Sequence, residues 1–407
     1  MSETGVLVRA QLQIEVLSPV HIGTGESLRS KSFAYLDERV YVADELKLSR
    51  IFTRSERKFT DFERFCLDQT SDQTLADFLA KQNVNVADIA RYSLRLAGTR
   101  LGRDLLLFVK TLSIPPQPYI PGSSIKGAVR SALLRSTLLK HPRERKVAEK
   151  LVREKFSGGK PKQADDALEQ HFFGTNPSRD WQHYDWMRLL QFSDTEPASL
   201  DNLEVAEVYT FSLKKSGLSA KAYVLSPEVL IPGTKLHSTL VVNCYLVSHT
   251  ADKHLKFRQH QQEIFDFTKA CNVVAEEQIN FDFTKACNVV AKEQINQEIA
   301  FFKRCNKSDI VKWYEDLRKR MANLREDQCL LRIGWGAGYD AKTVSDVFDS
   351  GTFDAIRNAY DLPVGRPGRK GSFLPKALSP KSRKLALDKD DADQKFVPLG
   401  WIQLTVH

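Results

Sequence analysis

Nowhere in the chain do two cysteines stand at the Cys-x-x-Cys spacing of a zinc site or redox pair. The six cysteines, at positions 66, 244, 271, 287, 305 and 329, have no histidine at ligand spacing, so they read as reduced packing residues and no structural metal is expected. No stretch approaches the roughly 20 apolar residues of a membrane span. The opening "MSETGVLVRAQLQIEVL" has no basic flank leading into an apolar run, so no signal peptide is read and a cytoplasmic protein without membrane contact is expected. Two common nucleotide sites are missing as well. In "LRIGWGAGYDAKTV" (331–344) no glycine directly precedes Lys342 as a P-loop requires, and Gly334, Gly336 and Gly338 follow G-x-G-x-G, without the later glycine of a dinucleotide fingerprint. With no Ser-His-Asp motif either, no cofactor and no catalytic set is expected.

What is present is positive charge. Lys and Arg number 60 against 51 Asp and Glu, a formal charge of +9, which favours a polyanionic partner over a neutral one. Residues 366–384 concentrate the excess, with Arg366, Arg369, Lys370, Lys376, Lys381, Arg383 and Lys384 and no acid, either a disordered tail or a docked basic segment. Hydrophobic residues at 42% and aromatics at 10% make the 407-residue chain globular and long enough for two or three cores.

The pattern alternates strands and helices. Leu12, Ile14 and Val16 interleave with Gln11, Gln13 and Glu15, a strand running into the glycine loop "SPVHIGTGE". A hairpin is expected at 33–42, helical patterns through 44–97, and strands at 105–110, 188–194, 203–213 and 235–247. The charged stretch 141–163 reads as a solvated helix with a loop. "FDFTKACNVVAEEQIN" (265–280) recurs at once as 281–296, differing only at Glu276 and Lys292. Each copy carries an apolar helical stripe, Phe283, Ala286, Cys287 and Val290 in the second. Sixteen residues at about 100° each leave the stripes about 160° apart, so a continuous helix would have to be buried on two sides.

Four stretches carry candidate chemistry. "YIPGSSIKGAVR" (119–130) reads as a loop entering a helix, with Gly122 permitting the turn, Ser123 or Ser124 capping, and Lys126 and Arg130 adding charge to a helix start suited to an anion. The glycine loop beside Arg332 and Lys342 suits the phosphates of a longer ligand. His21 is a general base, a stacking contact or a structural histidine, and "WQHYDW" (181–186) a stacking or a core cluster.

Taken together, "LSPVHIGTGE" (17–26), "YIPGSSIKGAVRSALL" (119–134), "FFG" (172–174) before "FSDTEP" (192–197), "EVLIPGTKL" (228–236) and "LRIGWGAGYDAKTV" resemble the RAMP superfamily of CRISPR effector proteins. The length and the closing "FLPKALSPKSRKL" (373–385) look most like the Csm-type subunit that caps the crRNA near its 3′ end in type III-A complexes. The resemblance implies an α+β fold of two ferredoxin-like (RRM-like) units with large helical insertions, divided as 1–200 and 201–407, the second with a helical insertion at about 250–328. It implies crRNA and other type III-A subunits, especially backbone-type RAMP subunits, as partners, with target RNA a further candidate. His21, Gly23, Gly122, Ser123, Ser124, Lys126, Arg130, Arg332, Gly334, Gly336, Gly338, Lys342, Lys381 and Arg383 would contact the RNA. No catalytic residue carries over. The rival is a RAMP endoribonuclease cutting precursor crRNA or target RNA, for which His21 or Asp37 would be nominated.

Overall fold

A computed structural model describes residues 7–68, 70, 72–174, 181–214, 217–243, 282–360, 362, 379–388 and 395–407. The first copy of the repeat and most of the basic stretch 366–384 lie outside the described residues. The fold is mixed α and β, as expected. One sheet has five strands in the order Gln328–Arg332, Trp401–Val406, Leu7–Val16, Lys235–Asn243 and Leu190–Phe192, all antiparallel. Alternation in Leu7–Val16 turns Ala10, Leu12, Ile14 and Val16 into the core. In Trp401–Val406 both faces are covered, with Ile402, Leu404 and Val406 joining one apolar cluster and Trp401 the other.

Helices Gly122–Lys140 and Asp282–Arg304 pack side by side against this sheet. The second repeat copy begins the latter helix. Its Phe283, Ala286, Cys287 and Val290 enter the first cluster, while Ala291, Ile295, Ile299 and Phe302 enter the second, so this helix is buried on two sides.

The larger sheet has ten strands. Its main path runs Phe396–Pro398, Ser382–Leu387, Val208–Lys214, Gly217–Leu230, Leu203–Ala206, Ala90–Ala97, Arg39–Ala43 and Phe33–Leu36, and Asp104–Phe108 with Gly23–Arg29 join it at Gly217–Leu230. The hairpin expected at 33–42 is present, and Asp37 sits in its turn at φ 50°. Helices Glu45–Phe52, Glu56–Leu67, Leu75–Lys81 and Val86–Ile89 build a separate apolar cluster around Phe52, Phe65 and Phe78.

Two expectations are corrected. The single strand expected at 203–213 is two, Leu203–Ala206 and Val208–Lys214, on opposite sides of Gly217–Leu230. Glu207 divides them. Its buried carboxylate accepts hydrogen bonds from the Thr99 and Arg100 amides (2.7 and 3.0 Å), and those bonds fix the chain at the crossing. Nor does residue 200 separate the sheets, since each draws strands from both sides of it.

Candidate functional site

Three segments far apart in sequence meet around a cavity of about 690 Å³. His21, Ile22 and the start of strand Gly23–Arg29 form one wall, the first turns of the Gly122 helix a second, and Arg332–Trp335 with Ala341 and Lys342 a third. Backbone joins the first to the third. The Trp335 amide donates to the His21 carbonyl (2.8 Å), and Gly334, at φ 76°, passes so close that a Cβ there would stand 2.3 Å from that oxygen. Only glycine meets both requirements.

The helix start is built differently from the expectation. Pro121 is the N-cap and supplies no capping side chain, and Ser123 and Ser124 face the cavity instead of capping. The Gly122 amide donates to Asp194 of "FSDTEP" (2.8 Å), so a carboxylate of the chain itself takes part of the positive end of the helix. Gly122 has no unusual backbone angle. It is required because a Cβ would lie 2.0 Å from the Phe192 carbonyl oxygen.

His21 is 3% exposed. Its Nδ1–H donates to the Glu228 carbonyl (2.6 Å), and its ring meets Phe108 and Trp335 edge-on at 6.1 and 5.7 Å. Burial holds its pKa below the usual value, so the ring is neutral. The buried Glu228 carboxylate anchors the same wall. It accepts from Tyr92 Oη and the Phe108 amide (2.7 Å each) and pairs with Lys110 Nζ. On the opposite side Arg135, buried in the Gly122 helix, pairs with Asp346 and donates to the carbonyls of Asp340 (3.2 Å) and Thr343 (3.4 Å), tying the glycine loop to the helix. Burial, then the Asp346 charge, pushes the Asp340 carboxyl up to about 7.

Of the residues singled out in the sequence, His21, Gly23, Ser123, Ser124, Arg332, Gly334 and Lys342 line this cavity. Gly336 packs against Leu399, and Gly338 has open space beside it. Lys381 lies at the edge of the larger sheet, where its carbonyl accepts from the Leu213 amide. Lys126 is half-buried, its pKa lowered chiefly by burial and opposed by Asp185. Arg130, Arg332 and Arg383 are occupied internally, Arg332 donating to the Leu399 carbonyl (3.1 Å) and lying 3.9 Å from Glu298. Arg130 bridges Asp185 (2.5 Å) and Glu169 (3.0 Å) over the ring of Phe173 at 4.0 Å. Buried Arg383 pairs with Glu298 (2.9 Å) above Phe301. Trp186 is core, with Nε1–H donating to the Phe172 carbonyl. Asp37 is not among the residues lining the cavity.

Sequence reasoning missed Trp335, Gly127 and Ser131 of the lining. A signal for the helical pair was there: Ser124, Gly127, Ala128 and Ser131 are small and recur every three or four residues, a stripe too slim to fill the space above it. No group of His, Cys, Asp and Glu among the described residues has the arrangement of a metal site, and no described helix is long and apolar enough to cross a membrane.

Comparison with known proteins matches residues 13–339 to the RAMP superfamily. The chain is 25% identical over 237 residues to the CRISPR system Cms protein Csm5 of Streptococcus thermophilus, covering 56% of this chain and 62% of that protein. It is 27% identical over 150 residues to the protein of the same name from Enterococcus italicus, covering 30% and 42%. These alignments therefore span less than two thirds of either relative. Among solved structures, a chain of a Csm–crRNA–target RNA ternary complex of a type III-A CRISPR-Cas system superposes with a TM-score of 0.69 at 21% identity, covering 98% of this chain and 100% of that one. The crystal structure of T. onnurineus Csm5 gives 0.64 at 20%, covering 96% and 99%.

Proposed function

The chain belongs to the RAMP superfamily, and we propose that it is a non-catalytic crRNA-binding subunit of a type III-A CRISPR effector complex, capping the 3′-end region of the crRNA and supporting its maturation and antiviral interference. The observation that carries this reading is the convergence of the three glycine- and serine-rich segments on one cavity. Its walls offer backbone, the Ser123, Ser124 and Ser131 hydroxyls and the cation Lys342 against a single lining acid, Glu26, while Arg332 borders it with its guanidinium already donating to the Leu399 carbonyl (3.1 Å) and 3.9 Å from Glu298. Groups of this kind hold phosphates and sugars and ignore base identity, which suits a guide whose sequence varies.

We read the five-stranded sheet as one ferredoxin-like (RRM-like) unit. Numbered along the chain, the strands Leu7–Val16, Leu190–Phe192, Lys235–Asn243 and Trp401–Val406 lie side by side as 4-1-3-2, with the Gly122 and Asp282 helices as the two crossovers. The larger sheet is the second, more embellished unit. The partners are crRNA, backbone-type RAMP subunits and target RNA, a reading that the Csm5 relatives and the ternary-complex likeness support. We read His21 as holding rather than cutting, because it is 3% exposed and metal-free cleavage needs an acid and a base that both reach the RNA.

The test is fluorescence anisotropy with labelled single-stranded RNA across a salt series, alongside incubation of labelled precursor and target RNA with and without divalent metal. Binding that weakens steeply with salt, depends little on sequence and leaves the RNA intact is expected. Cleavage by the wild-type protein that disappears in His21→Ala would replace this reading with the endoribonuclease.

A further inference from the structure

Beside the cavity, a row of lysines and aromatics joins Lys342, Trp335 and Lys384 of the motifs above to Lys221 and Tyr223 of the larger sheet, which no motif includes. Strand Gly217–Leu230 slips in register against Val208–Lys214: Ala220 pairs with Phe211 and Val224 with Tyr209, so Lys221, Ala222 and Tyr223 stand opposite the single residue Thr210. Such a bulge turns side chains out of the regular alternation. Tyr223 is left 49% exposed. On the other side of Thr210, across the next strand pair, stands Lys384. Its Nζ lies 5.0 Å above the ring of Trp335, and Lys221 Nζ lies 5.6 Å from the ring of Tyr223. Trp335 and Lys342 in turn line the cavity, so the row continues out of its mouth.

Among the described residues no carboxylate compensates the charge of this row. The groups that act on Lys384 are Tyr223, Lys221 and Lys342, with no carboxylate among them, and burial followed by the two neighbouring lysines holds its ammonium below the usual value. None of the three lysines forms an ion pair among the described residues. Three ammonium groups kept together without an acid repel one another, and a chain of phosphates relieves that repulsion while releasing its own counterions. The half-exposed ring of Tyr223 beside the lysines supplies a face for a base.

We infer that Lys221, Lys342 and Lys384, with Tyr223 as a stacking face, form a second contact strip for single-stranded RNA, carrying the strand from the glycine-lined cavity across the larger sheet. This rests on the RNA-binding reading above and adds residues and a direction to it. An acidic protein segment is the other polyanion of this chemistry. The interleaved rings and the continuity with the cavity favour RNA.

The experiment measures anisotropy of a labelled oligouridylate across a salt series for the full chain and for Lys221→Ala/Lys384→Ala, Tyr223→Ala and Tyr223→Phe, each checked for an unchanged melting transition. The double variant should bind more weakly and lose about 1.4 from the slope of log affinity against log salt, about 0.7 for each phosphate released. Tyr223→Ala should lose about tenfold in affinity at unchanged slope, and Tyr223→Phe should stay near wild type. Wild-type protein that binds RNA, with the double variant keeping its slope and Tyr223→Ala its affinity, overturns the strip alone. Wild-type protein that binds no RNA overturns both readings. Polyglutamate displacing the RNA at matched charge, with no effect of Tyr223→Ala on RNA affinity, gives the strip to an acidic protein and overturns the inference.

Discussion

Replacing Arg130 by alanine should unfold the protein more easily without selectively removing RNA. The sequence puts Lys126 and Arg130 four apart on one helical face, which suggests two interchangeable anion contacts. In the structure they differ. Arg130 lies over Phe173, bridges Asp185 at 2.5 Å and reaches Glu169 at 3.0 Å. A partly desolvated cation over a ring contributes about 1–2 kcal/mol. Losing the charged hydrogen bond to Asp185, itself only 16% exposed, costs about 1.5–3 kcal/mol more. The bond to Glu169, 43% exposed, adds little. The sum is about 3–5 kcal/mol. For a chain of 407 residues unfolding as one unit, at about 2.1 cal/mol/K per residue, that is a fall of about 4–6 °C in Tm. Arg130→Lys should recover only a fraction, because an ammonium cannot fork between two carboxylates. A double-mutant cycle with Asp185→Ala should be non-additive by more than about 0.5 kcal/mol. Calorimetry and RNA anisotropy on the same samples decide the matter: Arg130→Ala that melts like wild type yet loses RNA affinity refutes the structural role and restores the simple anion contact.

Three further outcomes follow from the site. Because burial lowers the His21 pKa from 6.5, the native state binds fewer protons there than the unfolded chain; stability should therefore fall with acidification below about pH 6.5, by up to about 1.4 kcal/mol per pH unit, and denaturant titrations of His21→Gln should lack that component. Asp340 has the opposite sign: its carboxyl, raised from 3.8 to about 7, makes the native state the better proton binder, so its contribution is lost as pH rises through 7. Asp340→Asn should gain roughly 2–4 kcal/mol at pH 8 and almost nothing near pH 4, read from urea midpoints. The two cavity glycines should part company: Gly334→Ala, forced to φ 76° with its Cβ against the His21 carbonyl, should lose about 2–4 kcal/mol, whereas Gly127→Ala, in open space on a helix, should gain about 0.5–1 kcal/mol and yet weaken RNA binding.

How much of this was legible depended on whether the deciding partner was near in sequence. The alternation of Leu7–Val16 and the stripe Phe283, Ala286, Cys287 and Val290 are local patterns, and both are buried as read. So was the identity of most cavity-lining segments, because glycine and serine clusters mark backbone that must stay accessible. What escaped was set at long range. The break at Glu207 depends on amides at residues 99 and 100, the capping of the helix start on Asp194, and the occupation of Arg130 and Arg383 on Asp185 and Glu298. A local window shows only that such arginines are cations. It does not show that a carboxylate arrives from another element and neutralises them.

The glycines illustrate the same distinction within one site. A scaffold reading, in which they serve only packing, accounts for Gly334 against the His21 carbonyl, Gly336 against Leu399 and Gly122 against Phe192. It does not account for Gly127. That residue lies inside the Gly122–Lys140 helix, where glycine costs about 1 kcal/mol relative to alanine, and a Cβ there would meet nothing within 4 Å. No contact of the fold offsets that cost. Gly127 faces the cavity together with Ser124, Ala128 and Ser131, and on the RNA-binding reading proposed above the small residue keeps the approach of the RNA free. The packing glycines let three distant segments approach closely, and Gly127 leaves the space in front of them open; on the proposed reading the two kinds of glycine together make the RNA-facing surface, where either alone would make only a turn or a weak helix.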